Sequence, residues 1–335
     1  MSKVKVSVVG VGHLGKIHAK LWKTIEDAEL VGIYDVNENA SKAVAKELNC
    51  IVFSSIDEVI KNSEAVTISS DTKTHFSIAK TMIENNIHSF IEKPITSNYK
   101  ESQKLLEIAN KNKVLVQVGH VERFNPALTA LKEHNLQPLF VEVHRLSQFK
   151  TRATDVSVIY DLMIHDIDII LWLVKSKVQK IEANGVAILT ETPDIANARI
   201  TFENGAVANL TASRISASPM RKLRIFQKDA YFSIDLGNQQ VDVFKLLNEE
   251  PDPEKYPLAF NLGSILETNN PKNIIYLKPE ITKLNAIQEE QKSFINSIKN
   301  NIQTAVTAKE AAEAVRIAEI ITNKIAKYNK NILQL

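Results

Sequence analysis

The chain has 335 residues, 44% of them hydrophobic, which is enough for a large core and suggests two domains or one with a large extension. Its 41 Lys and Arg nearly balance 39 Asp and Glu, so the concentrated basic face of a nucleic-acid binder is not expected. A single cysteine, Cys50, excludes an intrachain disulfide and an all-cysteine metal site. The opening MSKVKVSVVG lacks a signal-peptide core. No uninterrupted apolar run reaches the ~18 residues of a membrane span. A cytoplasmic protein without a membrane partner is expected.

The first 120 residues alternate strand and helix patterns. KVKVSVVG reads as a strand and LGKIHAKLWKTI as a helix; ELVGIYD and NASKAVAKEL repeat the pair. IVFSS, IDEVIKN, EAVTISS, HFSIAKTMIENN, HSFIEKP, YKESQKLLEIANKN and VLVQVG continue it. Strands separated by helices imply a doubly wound parallel sheet of Rossmann type.

Between the first strand and helix lies GVGHLG, with Gly10, Gly12 and Gly15. Asp35 ends the next strand, 20 residues after Gly15. Glycines in that context, with an acid at that distance, form the dinucleotide fingerprint. Gly10 permits the tight turn, Gly12 the approach of a pyrophosphate, and Gly15 close helix–strand packing. His13 and Leu14 complete the loop, and the helix N-terminus offers N–H groups to phosphates. A tight βα turn without a ligand is the plainer alternative. A carboxylate at Asp35 suits a ribose diol and repels a 2′-phosphate, and YDVNEN adds no cation, so NAD is favoured over NADP.

Thr72 and His75 follow AVTISS, where a loop would cross the cofactor; His75 also reads as a helix-start residue. HSFIEKP ends in Glu92 and Lys93 before Pro94, and Glu92 reads either as a nicotinamide-edge contact or as a strand-end charge. His120, Arg123 and Asn125 follow the sixth strand. They are substrate candidates, with Arg123 also readable as a salt-bridge partner.

The rhythm changes near residue 137. After the strand LFVEVHRLSQF comes VIYDLMIHDIDIILWLV (158–174), apolar almost throughout yet holding Asp161, His165, Asp166 and Asp168. At about 100° per residue, Asp161, His165 and Asp168 share one stripe of a helix and Asp166 points elsewhere. Such a seam needs partners or a cavity, because a lone buried charge is costly. Strands then follow without intervening helices: VQKIEANGVAIL, ANARITFE, AVANLTASRI, KLRIFQ, AYFSIDLG, QVDVFKL and NIIYLKP. They imply a large, mostly antiparallel open sheet in an α+β domain. Residues 248–272 read as a long surface loop, and helices near 284–300 and 307–328 close the chain. The division expected is 1–122 for cofactor binding and 123–335 for substrate binding and oligomerisation. No spacing resembles a metal site.

GVGHLGKIH with His18, then EKP at 92–94, then DLMIHDID at 161–168, together resemble the glucose–fructose oxidoreductase and inositol dehydrogenase (Gfo/Idh/MocA) family. The resemblance spans essentially the whole chain. It implies that Lys93 lies beside nicotinamide and substrate hydroxyl, and that Asp161 and His165 form the catalytic pair of the helix facing the cofactor, with Asp168 its frequent companion. It implies a homodimer or homotetramer. Where many members carry glycines before the aspartate, this chain reads DVSVIYD, so the neighbouring substrate loop differs. VGHVERFNPA and YDLMIHDIDII most resemble the branch that oxidises C3 of UDP-N-acetylglucosamine.

The residues suit that chemistry. His165 has the unperturbed titration range of a general base. Asp161, one turn earlier, would orient the imidazole. Lys93 would donate to the developing alkoxide, and it, Arg123, Asn125 and His165 would bind the substrate. Without the other motifs, Asp161 and His165 read equally well as an i,i+4 structural pair. Lys150, Arg152 and Arg214 at strand ends would suit a diphosphate, although each alone reads as a solvated cation. The keto product would suit a downstream aminotransferase. The competing readings are an inositol or simple-sugar 2-dehydrogenase and a non-catalytic NAD(H) sensor, which would not need Lys93, Asp161 and His165 together.

Overall fold

The computed structural model describes residues 2–149, 156–254, 256, 258–265 and 272–332. In chain order come β1 (Val4–Val9), α1 (His13–Trp22), β2 (Ala28–Tyr34), α2 (Glu38–Leu48), α3 (Ile56–Asn62), β3 (Ala65–Ile68), α4 (Thr72–Glu84), β4 (His88–Glu92), α5 (Tyr99–Asn112) and β5 (Val116–Gly119). A 3₁₀ turn (Val121–Phe124) leads to α6 (Pro126–Thr129) and β6 (Phe140–Leu146). A π turn (Ile159–Met163) runs into α7 (Ile164–Val174). Then follow β7 (Val178–Val186), β8 (Ile195–Phe202), β9 (Val207–Ser213), β10 (Met220–Phe226), β11 (Ala230–Asp235), β12 (Gln240–Leu247), β13 (Phe260–Ile265) and β14 (Lys272–Leu277). Helices α8 (Ala286–Asn300) and α9 (Ala308–Ile332) end the series. No helix among the described residues is long and apolar enough to cross a membrane.

Two compact units emerge, residues 1–124 with 284–319 and residues 125–283 with 320–335. In the first, five parallel strands order as β2-β1-β3-β4-β5. The strands read as apolar runs because helices cover both faces; β3 and β5 are buried at every position. Asn37, Ser55 and Asn98 start α2, α3 and α5 by accepting from backbone N–H groups in the first turn. Trp22 is wholly buried, and its indole N–H donates to Thr67 Oγ1 at 2.8 Å.

α8 belongs to this unit, where the sequence placed both closing helices with residues 123–335. The cause is its apolar face: Phe294 and Ile295 enter the core formed by Val6, Val8, Trp22 and Phe90. The Phe294 ring meets Phe90 edge-on at 5.9 Å. The following segment covers β5, with Val118 N–H donating to Val306 O.

The second unit is built on a nine-stranded sheet, ordered β13-β14-β12-β11-β10-β6-β9-β8-β7. Only the β6–β9 pairing in it is parallel. β13 lies within the stretch expected to be a loop. Its FNLGSI has no strong alternation, and it bulges between Asn261 and Gly263, so its pairing with β14 supplies the order that local pattern does not. α7 packs on β6 and β9. One face of the sheet buries Val141, Val143, Leu223, Ile225, Phe232, Ile234, Val241, Val243 and Ile275.

Asp166 answers part of the puzzle of the polar segment. Arg145 of β6 grips it bidentately, Nε at 2.9 and 3.0 Å and Nη2 at 2.7 Å, with both side chains buried. Replacing Arg145 by Met should lower stability by about 3–5 kcal/mol, because a buried carboxylate loses its cation. Denaturant unfolding measures this; a loss below about 1 kcal/mol would be that of an exposed pair and would contradict the assignment.

Candidate active site

The glycine loop is shaped by two close approaches. Gly10 has φ +84°, and a Cβ there would lie 2.5 Å from Ser70 N. A Cβ on Gly15 would lie 1.9 Å from Gly10 O. Gly12 is different: apart from its own chain neighbours and adjoining helix backbone, no described heavy atom lies within 4 Å of where its Cβ would be. Gly12 is also the N-cap of α1, which has no side-chain cap and no acid in its first turn. No side chain caps that turn, and His13 beside Gly12 is exposed while Leu14 is half-buried. An extended, diphosphate-linked dinucleotide fits this cradle.

Asp35 completes it from the end of β2. Its Oδ2 accepts from Val11 N at 2.7 Å and its Oδ1 from Asn37 N at 2.8 Å. A carboxylate has about four acceptor sites, so a ribose diol can still be bound while the loop is braced. Thr72 opens α4 and is half-buried. His75, one turn later, is buried, with its ring nitrogens 2.9 Å from Pro94 O and 3.0 Å from Ser70 O. Burial pushes its pKa below the ordinary imidazole value against the pull of these carbonyls. It stitches two loops together from the first turns of α4, where the sequence offered it either as a cofactor contact or as a helix-start residue.

At the end of β4, Glu92 is buried. Its Oε1 lies 2.7 Å from His18 Nε2, and its Oε2 accepts from Lys93 N at 3.1 Å. Burial would raise its carboxyl, but the hydrogen bond and electrostatic pull of His18, then the positive charge and N–H of Lys93, hold it below the usual carboxylate range. The sequence offered it as a nicotinamide-edge contact or as a strand-end charge; it ends β4 with its carboxylate turned to His18 and to the backbone of Lys93. Lys93 itself is half-buried, and the Lys93–Pro94 peptide is cis.

In the second unit, Asp161 lies in the π turn and His165 in the first turn of α7; both are half-buried. Asp168, expected on the same stripe, is buried. The sequence implied an unbroken α-helix, and the wider turn changes the phase just where Asp161 sits; such turns recur at functional sites. The lead-in is pinned: Val158 N donates to Pro193 O at 3.2 Å, and Arg214 Nη1 to Val156 O at 2.7 Å.

Arg214 thus corrects an expectation. Its Nε donates to buried Asp194 Oδ1 at 2.9 Å and its Nη2 to Thr192 Oγ1 at 2.9 Å, so it braces a loop and is not poised for a diphosphate. Asp194 also accepts from the N–H groups of Ile188, Leu189 and Thr190, which outweigh burial and keep its carboxyl far below the usual range. Arg123, read as a substrate candidate or as a salt-bridge partner, is buried and paired with Glu310 at 2.9 Å inside the first unit, as the salt-bridge reading has it. Asn125 caps α6 through its Oδ1, and its Nδ2 donates to Leu236 O at 3.0 Å. His120 is buried just before the 3₁₀ turn. Lys150 and Arg152 lie outside the described residues. The sequence reading missed Arg145, Asp194 and Gln291. The first two are recognisable only through partners 21 and 20 residues away, and a glutamine on an amphipathic helix carries no signal of its own.

The cradle is testable by binding. Gly15→Ala should weaken NADH binding by about tenfold or more, since backbone overpacking of about 1–3 kcal/mol must be relieved by opening the loop. Asp35→Ser should reduce the preference for NADH over NADPH. Nicotinamide fluorescence titrations read both, and a wild-type chain that binds NADPH as tightly as NADH would contradict the role given to Asp35.

Comparison with known proteins agrees with this geometry. Residues 4–120 match the model of the Gfo/Idh/MocA oxidoreductase family, NAD-binding Rossmann fold, and residues 128–233 match a Gfo/Idh/MocA C-terminal domain. UDP-N-acetylglucosamine 3-dehydrogenase of Acidithiobacillus ferrooxidans is 38% identical over 245 residues, 73% of this chain and 78% of that protein. A solved structure of UDP-N-acetylglucosamine 3-dehydrogenase GnnA from the same organism superposes with a TM-score of 0.86 at 31% identity, covering 97% of this chain and 98% of the other. Myo-inositol 2-dehydrogenase of Thermotoga maritima is 24% identical over 331 residues, 93% of each chain. With both family models matched along the chain and a relative 38% identical over 73% of it, the chain belongs to the Gfo/Idh/MocA family of NAD-dependent oxidoreductases acting on CH–OH groups.

Proposed function

We propose that this protein oxidises the C3 hydroxyl of a UDP-linked N-acetylated sugar to the 3-keto sugar. The observation that carries the reading is the likeness to UDP-N-acetylglucosamine 3-dehydrogenase, at 38% identity over 73% of the chain. Inositol dehydrogenases match less well; the Thermotoga maritima protein is 24% identical.

Oxidation of a secondary alcohol needs an acceptor for the carbinol hydride, which the nicotinamide of NAD⁺ supplies, and a base for the hydroxyl proton. His165 is the base in this proposal, accepting the proton as the C–O bond becomes a carbonyl. Asp161 orients the imidazole and stabilises its cation. Lys93 donates a hydrogen bond to the oxygen on which negative charge develops. Lys93→Met and His165→Ala should each lose most turnover and keep NADH binding, since neither belongs to the pyrophosphate cradle. A His165→Ala enzyme with near wild-type rate across pH would remove His165 as the base.

Substrate choice is read by incubating UDP-sugars, free sugars and inositols with NAD⁺, with mass spectrometry of products. Equilibrium disfavours the ketone, so an aminotransferase and amino donor serve as trap; an enzyme of that class is also the proposed downstream partner. Turnover of a UDP-N-acetyl sugar is expected. Turnover of free inositol or glucose with no UDP-sugar would replace this reading with the polyol one.

A homo-oligomer is proposed from the other face of the second unit's sheet. Phe260, Tyr276, Phe244, Tyr231, Phe226 and Phe140 form one row across six strands, ring centres 4.7–6.2 Å apart. Each sits opposite the next in register. Phe260 is 65% exposed and Phe226 37%, an apolar stripe of the kind that marks association. Light scattering should give a dimer or tetramer, and Tyr231→Lys should shift it toward monomer. A wild-type chain that is monomeric at micromolar concentration would rule this out.

A further inference from the structure

Three buried polar groups of the first unit form a chain that ends at Lys93. His18 of α1 is fully buried and packs against Phe90, ring centres 5.2 Å apart. Gln291 of α8, also fully buried, places its Nε2 3.1 Å from His18 Nδ1 and 3.2 Å from His18 O. A carbonyl oxygen only accepts, so the amide must present its NH₂ to His18. Nδ1 is then the acceptor, and the ring proton sits on Nε2, pointing at Glu92 Oε1 2.7 Å away.

The consequence falls on Glu92. His18 Nε2 donates a hydrogen bond to one carboxylate oxygen. Lys93 N–H donates to the other oxygen, and on the far side any Cβ at Gly119 would come within 2.8 Å of Oε1. The anion is fixed on three sides, immediately before Lys93 in sequence. A buried carboxylate is tolerated when a cation answers it.

We propose that Glu92, held by His18 and through it by Gln291, is a positioning residue that keeps Lys93 in its ammonium form and aims it at the substrate oxygen. This rests on the reading that Lys93 acts in the reaction. The ionisable groups facing Glu92 are His18 from α1, Lys93 at its own strand end and His75 from α4, whose titration Glu92 influences. α8 contributes the uncharged Gln291, with the buried Glu290 next in sequence, and β5 contributes Gly119.

The test compares Glu92→Gln, Lys93→Met and the double variant in the full-length enzyme, with kcat, KM, NADH binding and the pH profile measured for each. Glu92→Gln keeps the shape and removes the charge. It should lower kcat about tenfold with little change in KM, and move the basic limb of kcat down by about one pH unit or more, because the ammonium loses its neighbouring anion. Added to Lys93→Met, it should cost nothing further, since it works through that lysine. A Glu92→Gln enzyme whose basic limb stays in place, or whose loss multiplies with that of Lys93→Met, would overturn the proposal. If Lys93→Met itself keeps its rate, the reading of Lys93 fails first, and that outcome is separately visible. Should Glu92→Gln not fold, His18→Phe against His18→Gln decides. Loss with the donor-free ring and recovery with the donating amide is expected; equal effects would overturn the proposal.

Discussion

A Cβ atom at Gly15 would sit 1.9 Å from the carbonyl oxygen of Gly10. That distance states how tightly α1 is folded back on the exit of β1, and much of the first unit follows from it. Because the helix starts in contact with the strand end, its first N–H groups surround the open side of Gly12, where a phosphate can approach. Because it stays close, His18, one turn on, is driven into the interior and reaches the end of β4. Val11, between the glycines, is tied by its N–H to Asp35. Cofactor cradle and buried polar chain are two sides of one turn.

The sequence carried most of the first unit in plain form. Parallel strands covered on both faces appear as apolar runs, and helices that start at Asn37, Ser55 and Asn98 announce themselves. It did not tell whose core α8 completes. An amphipathic pattern shows that Phe294 and Ile295 share a buried face, but not that the face meets Trp22 and Phe90. β13 was hidden for the opposite reason, since Asn261, Gly263 and Ser264 have little strand preference and pairing with β14 decides the outcome.

The polar residues of 158–174 were legible as an anomaly and only partly as an assignment. Asp166 was rightly set apart, but its partner Arg145 lies on another element and no spacing reveals it. The π turn that carries Asp161 has no one-dimensional signature in this chain. Arg214 was misread because a strand-end arginine looks the same whether it awaits a phosphate or is locked to Asp194. The difference appears once β8 and β9 are in register. Charge on the page of a sequence is therefore a weak guide to charge available for binding: Arg123, Arg145 and Arg214 are all engaged by carboxylates.

The central claim is that the carbinol hydrogen at C3 of a UDP-N-acetylated sugar leaves as hydride to NAD⁺. UDP-N-acetylglucosamine deuterated at C3 tests it directly, with the enzyme, NAD⁺ and the aminotransferase trap present and the nicotinamide analysed by mass spectrometry. The account predicts deuterated NADH and a C3-labelled substrate that turns over more slowly than the unlabelled one. Unlabelled NADH from that substrate, or reduction of NAD⁺ by free inositol alone, would contradict it.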